Sequence, residues 1–106
     1  MKESKKGGAL TETTFYILLA TFKPNHGYGI MQFIDDKTNS RLHLSPGTLY
    51  GAIKVLREKK WLIEYETQEN GKVLYLISDD GKSIVKKEFN RMIETIAIAK
   101  EIMEEN

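Results

Sequence analysis

Cysteine is absent from the 106 residues, so neither a disulfide nor a thiolate metal site is available, and the reducing cytoplasm is the natural compartment. Histidine is scarce. Only His26 and His43 occur, no acid stands at metal-ligand spacing beside either, and there is no glycine-rich loop of the P-loop type, so neither an enzyme nor a metal or cofactor site is expected. Asp35-Asp36 and Asp79-Asp80 are paired carboxylates, but both fall at helix ends, where capping accounts for them. Long apolar runs are missing too. The longest, such as Phe15 to Ala20, are far too short to span a bilayer, and the lysine-bearing start is not followed by a signal-peptide core. What is there is one small domain of 12.2 kDa, 41% hydrophobic and 29% charged, a balance that folds in water.

The net charge of +1 conceals an uneven distribution. Between residues 37 and 60, Lys37, Arg41, Lys54, Arg57, Lys59 and Lys60 face only Glu58, a local excess of +5. Such a block suits a polyanion read at one surface, and it equally describes a solvated, lysine-rich helix face.

Residues 1–10, with three lysines and Gly7-Gly8, read as a loose basic arm. Thr11 and Glu12 open a helix whose stripe is Phe15, Leu18, Leu19 and Phe22, ended by Lys23-Pro24-Asn25. After His26-Gly27, residues 28–37 form a short second helix with Ile30, Met31 and Ile34 on one face. Arg41 to Leu44 form a brief extended piece. Ser45-Pro46 then starts a third helix to about Lys60, with Leu49, Ala52, Ile53 and Leu56 toward the core and Gly47, Gly51 and Lys54 opposite, flanked by Tyr50 and Arg57 and by Thr48 and Val55. Two glycines on the outer face of a helix cost about 1 kcal/mol each against alanine. Either something docks close to the bare backbone there, or Gly47 sits harmlessly in the first turn and Gly51 relieves a clash.

Residues 61–67 and 73–77 are rich in aromatic and branched side chains around Asn70-Gly71, which predicts a hairpin. A two-residue turn places Tyr65 opposite Leu76. A three-residue loop with Gly71 left-handed places Tyr65 opposite Tyr75 and Ile63 opposite Ile77, and is favoured because it gathers Ile63, Tyr65, Val73, Tyr75 and Ile77 on one face. Lys72 stands at the tip in either case.

Ser78 and Asp79-Asp80 open a last helix of about 26 residues, roughly 39 Å long at 1.5 Å per residue. Val85, Phe89, Met92, Ile96, Ala99 and Met103 recur at heptad spacing, with Ile84, Ile93, Ile98 and Ile102 beside them. A chain this short has little to cover such a helix, so a second copy is the expected partner in a twofold homodimer. The competing reading packs the seam on the first helix alone.

The stretches His26-Gly27-Tyr28-Gly29, Pro46-Gly47-Thr48-Leu49-Tyr50 followed by Ala52-Ile53 and Leu56, and Tyr75 to Gly81 resemble, in order and spacing, the PadR-like transcriptional regulators, over about residues 9–85. The resemblance implies a mostly helical α+β fold: a winged helix-turn-helix domain over residues 11–80 and a C-terminal dimerisation helix over 81–106. It implies a dimeric repressor of double-stranded DNA at an inverted-repeat operator, with a small hydrophobic or aromatic ligand as effector. A recognition helix must offer small, polar and basic groups to the major groove, and Gly47, Thr48, Tyr50, Gly51, Lys54 and Arg57 do so. Lys72 on the wing and His26 beside the second helix are further phosphate contacts. Phe89, Met92 and Ile96 are either an effector pocket between paired last helices or plain dimer core.

The wing departs from the family pattern. Glu64, Glu66 and Glu69 accompany the single Lys72, which weakens its grip on DNA and leaves about three to five phosphates neutralised per protomer. An acidic wing also suits a protein-binding adaptor that never touches a duplex.

Overall fold

A side chain just ahead of each helix closes its first turn. The computed structural model describes residues 8–105 and runs α1 (Glu12–Leu19), α2 (Gly27–Lys37), α3 (Pro46–Glu58), β1 (Leu62–Thr67), β2 (Val73–Ile77) and α4 (Asp79–Glu104). Thr11, Ser45 and Ser78 accept through their hydroxyls the N–H groups of Thr14, Thr48 and Gly81 at 3.1, 3.2 and 3.0 Å. His26 does the same through Nδ1 for Gly29 at 2.9 Å. Each cap satisfies one of the four N–H groups that a helix start leaves without a carbonyl. Of the basic arm assigned to residues 1–10, the first seven lie outside the described residues.

Ile17, Leu18, Ile30, Ile34, Leu49, Ile53, Leu56 and Leu62 are almost wholly buried and form the core where α1, α2 and α3 meet the hairpin. The stripes of α2 and α3 are those expected. That of α1 is rotated: Thr14, Ile17, Leu18 and Thr21 face inward, Phe15 and Leu19 are half-buried, and Phe22 is exposed. Thr21 tolerates burial because its hydroxyl donates to the carbonyls of Ile17 and Leu18, both at 3.0 Å.

Three other expectations change. Residues 41–44 form no strand; instead Asn25 bridges Tyr75, exchanging N–H···O bonds of 3.0 and 2.7 Å. Helix α3 stops at Glu58 because Lys60 is left-handed (φ 64°), which turns the chain so that Trp61 N–H reaches the Leu56 carbonyl at 3.0 Å. The hairpin register is mixed. At the tip the three-residue loop is present, with Gly71 at φ 85° and Thr67 opposite Val73. A bulge at Tyr65 then shifts the inner half, setting Ile63 opposite Leu76 and Leu62 opposite Ile77. Leu62 therefore enters the core, while Ile63 and Tyr65, expected inside, are exposed.

Helix α4 joins the core only through its first turns, by way of Gly81, Ile84, Val85 and Glu88. Val85 is 7% exposed and belongs to the core of one copy, so the free apolar seam begins at Phe89 rather than at Val85. The rest of α4 projects, giving the molecule a long axis of 58 Å against 29 and 22 Å.

Candidate nucleic-acid interface

The face of α3 turned away from the core carries Gly47, Thr48, Tyr50, Gly51, Lys54 and Arg57, all exposed. A Cβ built on Gly47 or Gly51 would meet nothing within 4 Å, so neither glycine relieves an internal clash, and the bare backbone borders open space. With Thr48, Ala52 and Val55 these glycines line a cleft of about 470 Å³ whose other wall is Thr11 and Thr13 at the start of α1. Thr48 Oγ1 accepts from the Ser45 hydroxyl at 3.0 Å, which fixes it at the helix opening.

Tyr50 leans the other way. Its phenol lies against Gly27, where any Cβ would overlap the ring, and His26, Tyr28, Asn70, Lys72 and Tyr75 complete a second cleft of about 410 Å³ between the start of α2 and the wing tip. The structure thus brings His26, Tyr50 and Lys72 together and leaves Lys54 and Arg57 outside both clefts. The His26 ring has an assigned structural task as cap. Because Nδ1 accepts an N–H there, its ring proton sits on Nε2.

The basic block is largely committed. Arg57 is ion-paired to Glu64 of β1, tying the outer face of α3 to the hairpin. Arg41 grips Glu12 with two hydrogen bonds of 3.0 and 2.6 Å, and these hold the Glu12 carboxyl below its usual range. Lys59 lies 4.7 Å over the Trp61 ring and Lys37 5.8 Å over Phe33. Lys54, by contrast, has no partner among the described residues.

Sequence reasoning missed Thr11, Thr13, Asn70 and Tyr75 as lining residues. Tyr75 was assigned to the core by alternation, and it is buried; that its ring also borders a cleft depends on where α2 begins, which no local pattern records.

On α4, Phe89 and Ile96 are exposed and Met92 half-buried, with Ile93, Ile98, Ile102 and Met103 also exposed. In one copy these residues form an open surface. Ala99 lies on the same exposed stretch. No group of three or more metal-ligating side chains occurs among the described residues, and none of their helices is long and apolar enough to cross a membrane.

The profile of the transcriptional regulator PadR-like family matches residues 16–87, from mid-α1 through the wing and into α4. The chain belongs to this PadR-like family. Its members are transcriptional regulators rather than enzymes. Solved structures share the winged-helix fold. A transcriptional regulator from Clostridium thermocellum is 22% identical, covering 84% of this chain and 86% of its own, with a TM-score of 0.71. A PadR family regulator from Eggerthella lenta is 16% identical over 88% and 82% of the two chains, with a TM-score of 0.75. Another from Clostridium difficile is 19% identical over 86% and 96%, with a TM-score of 0.68. No curated protein matches.

Proposed function

We propose that this PadR-like chain is a cytoplasmic, homodimeric repressor that binds an inverted-repeat operator through α3. The observation that carries the reading is the outer face of α3: two glycines bordering open space, Thr48 fixed at the helix opening, and the unpaired Lys54. That combination lets a helix backbone approach base edges in a major groove while a cation follows the phosphates. Two copies joined along the projecting part of α4 hold two such helices about one helical turn of DNA apart. Gly47, Thr48 and Gly51 read bases, and Tyr50, Lys54, Arg57, Lys72 and His26 contact backbone. Phe89, Met92, Ile96, Ala99 and Met103 line the dimer seam, and a small hydrophobic or aromatic ligand entering near Phe89, Met92 and Ile96 alters the spacing of the two α3 helices.

The test is fluorescence anisotropy of the purified protein on the duplex upstream of its own gene, with and without hydrophobic cations and phenolic acids. Wild type binds with an affinity that falls as salt rises. Lys54→Ala with Tyr50→Ala loses binding while keeping its helical circular dichroism and its sedimentation. A wild-type protein that shifts no duplex overturns the reading in favour of an adaptor. The acidic wing, with Ile63 and Tyr65 exposed on it, is the surface such an adaptor would use.

A further inference from the structure

The tip of the hairpin carries a chemistry that DNA recognition does not use. Of the asparagines in the chain, Asn70 alone is followed by glycine. The pair matters because the peptide nitrogen after an asparagine lies within reach of that residue's own side-chain carbonyl, and glycine sets no side chain in the way. At Asn70-Gly71 the surroundings are open as well. Both residues are exposed, and a Cβ built on Gly71 would meet nothing within 4 Å. The other described asparagines differ. Asn25 is tied by its amide to the Ala20 carbonyl at 3.1 Å and precedes His26, Asn39 precedes Ser40, and Asn90 lies inside α4 before Arg91.

The tip also directs the Asn70 side chain. The Lys72 N–H donates to its Oδ1 at 3.0 Å, which folds the side chain back across the Gly71 peptide that lies between them. The same N–H is aimed at the oxygen that gains negative charge if Cγ is attacked, so it polarises the carbonyl and supports the tetrahedral intermediate. One bond opposes the reaction. Gly71 N–H donates to the Gln68 carbonyl at 2.9 Å and must leave it before its nitrogen can react. Residues 68–72 are all exposed and none belongs to the core, and opening a single hydrogen bond slows a step by about tenfold at most.

We infer that Asn70 is a modification site, at which the side-chain amide is converted to a carboxylate by the chain's own backbone and water. The Gly71 nitrogen gives up its proton and bonds to Cγ of Asn70, and the Cγ–Nδ2 bond breaks as Nδ2 takes up a proton and departs as ammonia. The product is a five-membered cyclic imide. Water opens it at either carbonyl, giving aspartate or isoaspartate, and no other reactant is needed. Either product sets a new negative charge between Glu69 and Lys72, whose charges now balance. Isoaspartate also lengthens the loop by one backbone carbon. The bulge at Tyr65 separates the tip from the pairing of Ile63 with Leu76 and of Leu62 with Ile77, so the core stays as it is. In the reading that α3 meets DNA, on which only this consequence rests, the altered tip repels the polyanion that Lys72 attracts, and the protein loses affinity as it ages.

Peptide mapping by mass spectrometry tests the site on the full chain, incubated folded and in urea, in neutral and in mildly alkaline buffer. Trypsin releases residues 61–72 as one peptide that holds no other asparagine. In the folded chain this peptide is expected to gain the mass by which a hydroxyl exceeds an amino group and to split into two chromatographic species. Alkali should speed the change, because it removes the proton from the attacking nitrogen. The folded rate should lie within about tenfold of that in urea. Slower conversion than this, or none, overturns the site. Asn70→Gln, whose longer side chain closes the ring poorly, should keep its mass, and equal conversion there overturns the site too. Asn70→Asp, a stand-in for one product, should bind duplex about two- to fivefold more weakly, with the gap narrowing as salt rises. Equal affinity in Asn70→Asp keeps the site and overturns its effect on recognition. A wild type that converts at Asn70 but binds no duplex keeps the site and overturns the DNA reading.

Discussion

The phenol of Tyr50, on α3, occupies the volume that a side chain at Gly27, the first residue of α2, would need. The two helices are therefore fitted to each other at their exposed end as well as through Ile30, Ile34, Leu49 and Ile53 in the core.

That fit makes a coupled pair. Gly27→Ala forces the half-exposed Tyr50 ring out of its place and lowers stability by about 1 kcal/mol, the low end of the range for overpacking, because the displaced atoms are the end of a flexible side chain. Tyr50→Ala removes the obstacle, so the double variant loses less than the two single changes together. Urea unfolding of the four proteins measures the coupling, and strict additivity would show that the ring moves aside freely.

The ion pair between Arg57 and Glu64 holds a cation of the outer face of α3 against the hairpin. Glu64→Gln releases it. The variant is expected to bind duplex more tightly and with a salt slope steeper by up to about one phosphate, because the Arg57 charge is no longer shared with Glu64 and acts on the phosphate alone. For the wild type the expected slope corresponds to about three to five phosphates per protomer. Affinity titrated between 50 and 200 mM salt checks both values, and an unchanged slope in Glu64→Gln would place Arg57 away from the DNA.

Buried Glu88 is clasped by Arg91 through two hydrogen bonds of 2.7 Å, close to where Leu10 precedes α1. Its carboxyl is held below the usual value of 4.5 chiefly by the hydrogen bonds from Arg91, with burial opposing. A carboxyl whose folded pKa is depressed stabilises the fold above its unfolded value, and that contribution disappears as pH falls through the folded one. Thermal melts should therefore drop steeply in acid below about pH 4.5 in wild type, and less steeply in Glu88→Gln. Parallel acid profiles for the two proteins would mean that the clasp contributes nothing to the pH dependence.

Much of this arrangement is legible in the sequence because it is local. Thr11, Ser45-Pro46 and Ser78-Asp79-Asp80 announce their helices, since a cap needs only its own next three residues. Gly71 announces its loop for the same reason. The errors come where distant parts decide. Alternation cannot reveal the bulge at Tyr65, which exists because Leu62 must enter the core beneath α3 while the tip keeps its own register. Left-handed Lys60 carries no signature, being neither glycine nor asparagine, and is held by contact with Ser78, whose hydroxyl donates to its carbonyl at 2.6 Å. The cleft beside Tyr75 is assembled from α2, α3 and the hairpin tip, so no single stretch spells it.

The projecting part of α4 gives the sharpest test of assembly. Ile96 is 66% exposed and Met103 74%, in line with Phe89 and beside Ile93, an apolar stripe of a kind that monomers seldom leave in water. Nothing else among the described residues covers it, because the core ends near Glu88. A second α4 packed across a twofold axis would bury the same stripe on both copies. Ile96→Glu places a charge in that stripe on each copy, and the protein should sediment as a monomer at micromolar concentration while keeping its core, which Ile96 does not enter. Its melting temperature should lose the dependence on protein concentration that a dimer shows, and duplex affinity should fall by at least tenfold as the second half-site is no longer engaged in the same event. A wild-type chain that already sediments as a monomer would remove the twofold spacing on which recognition of an inverted repeat depends.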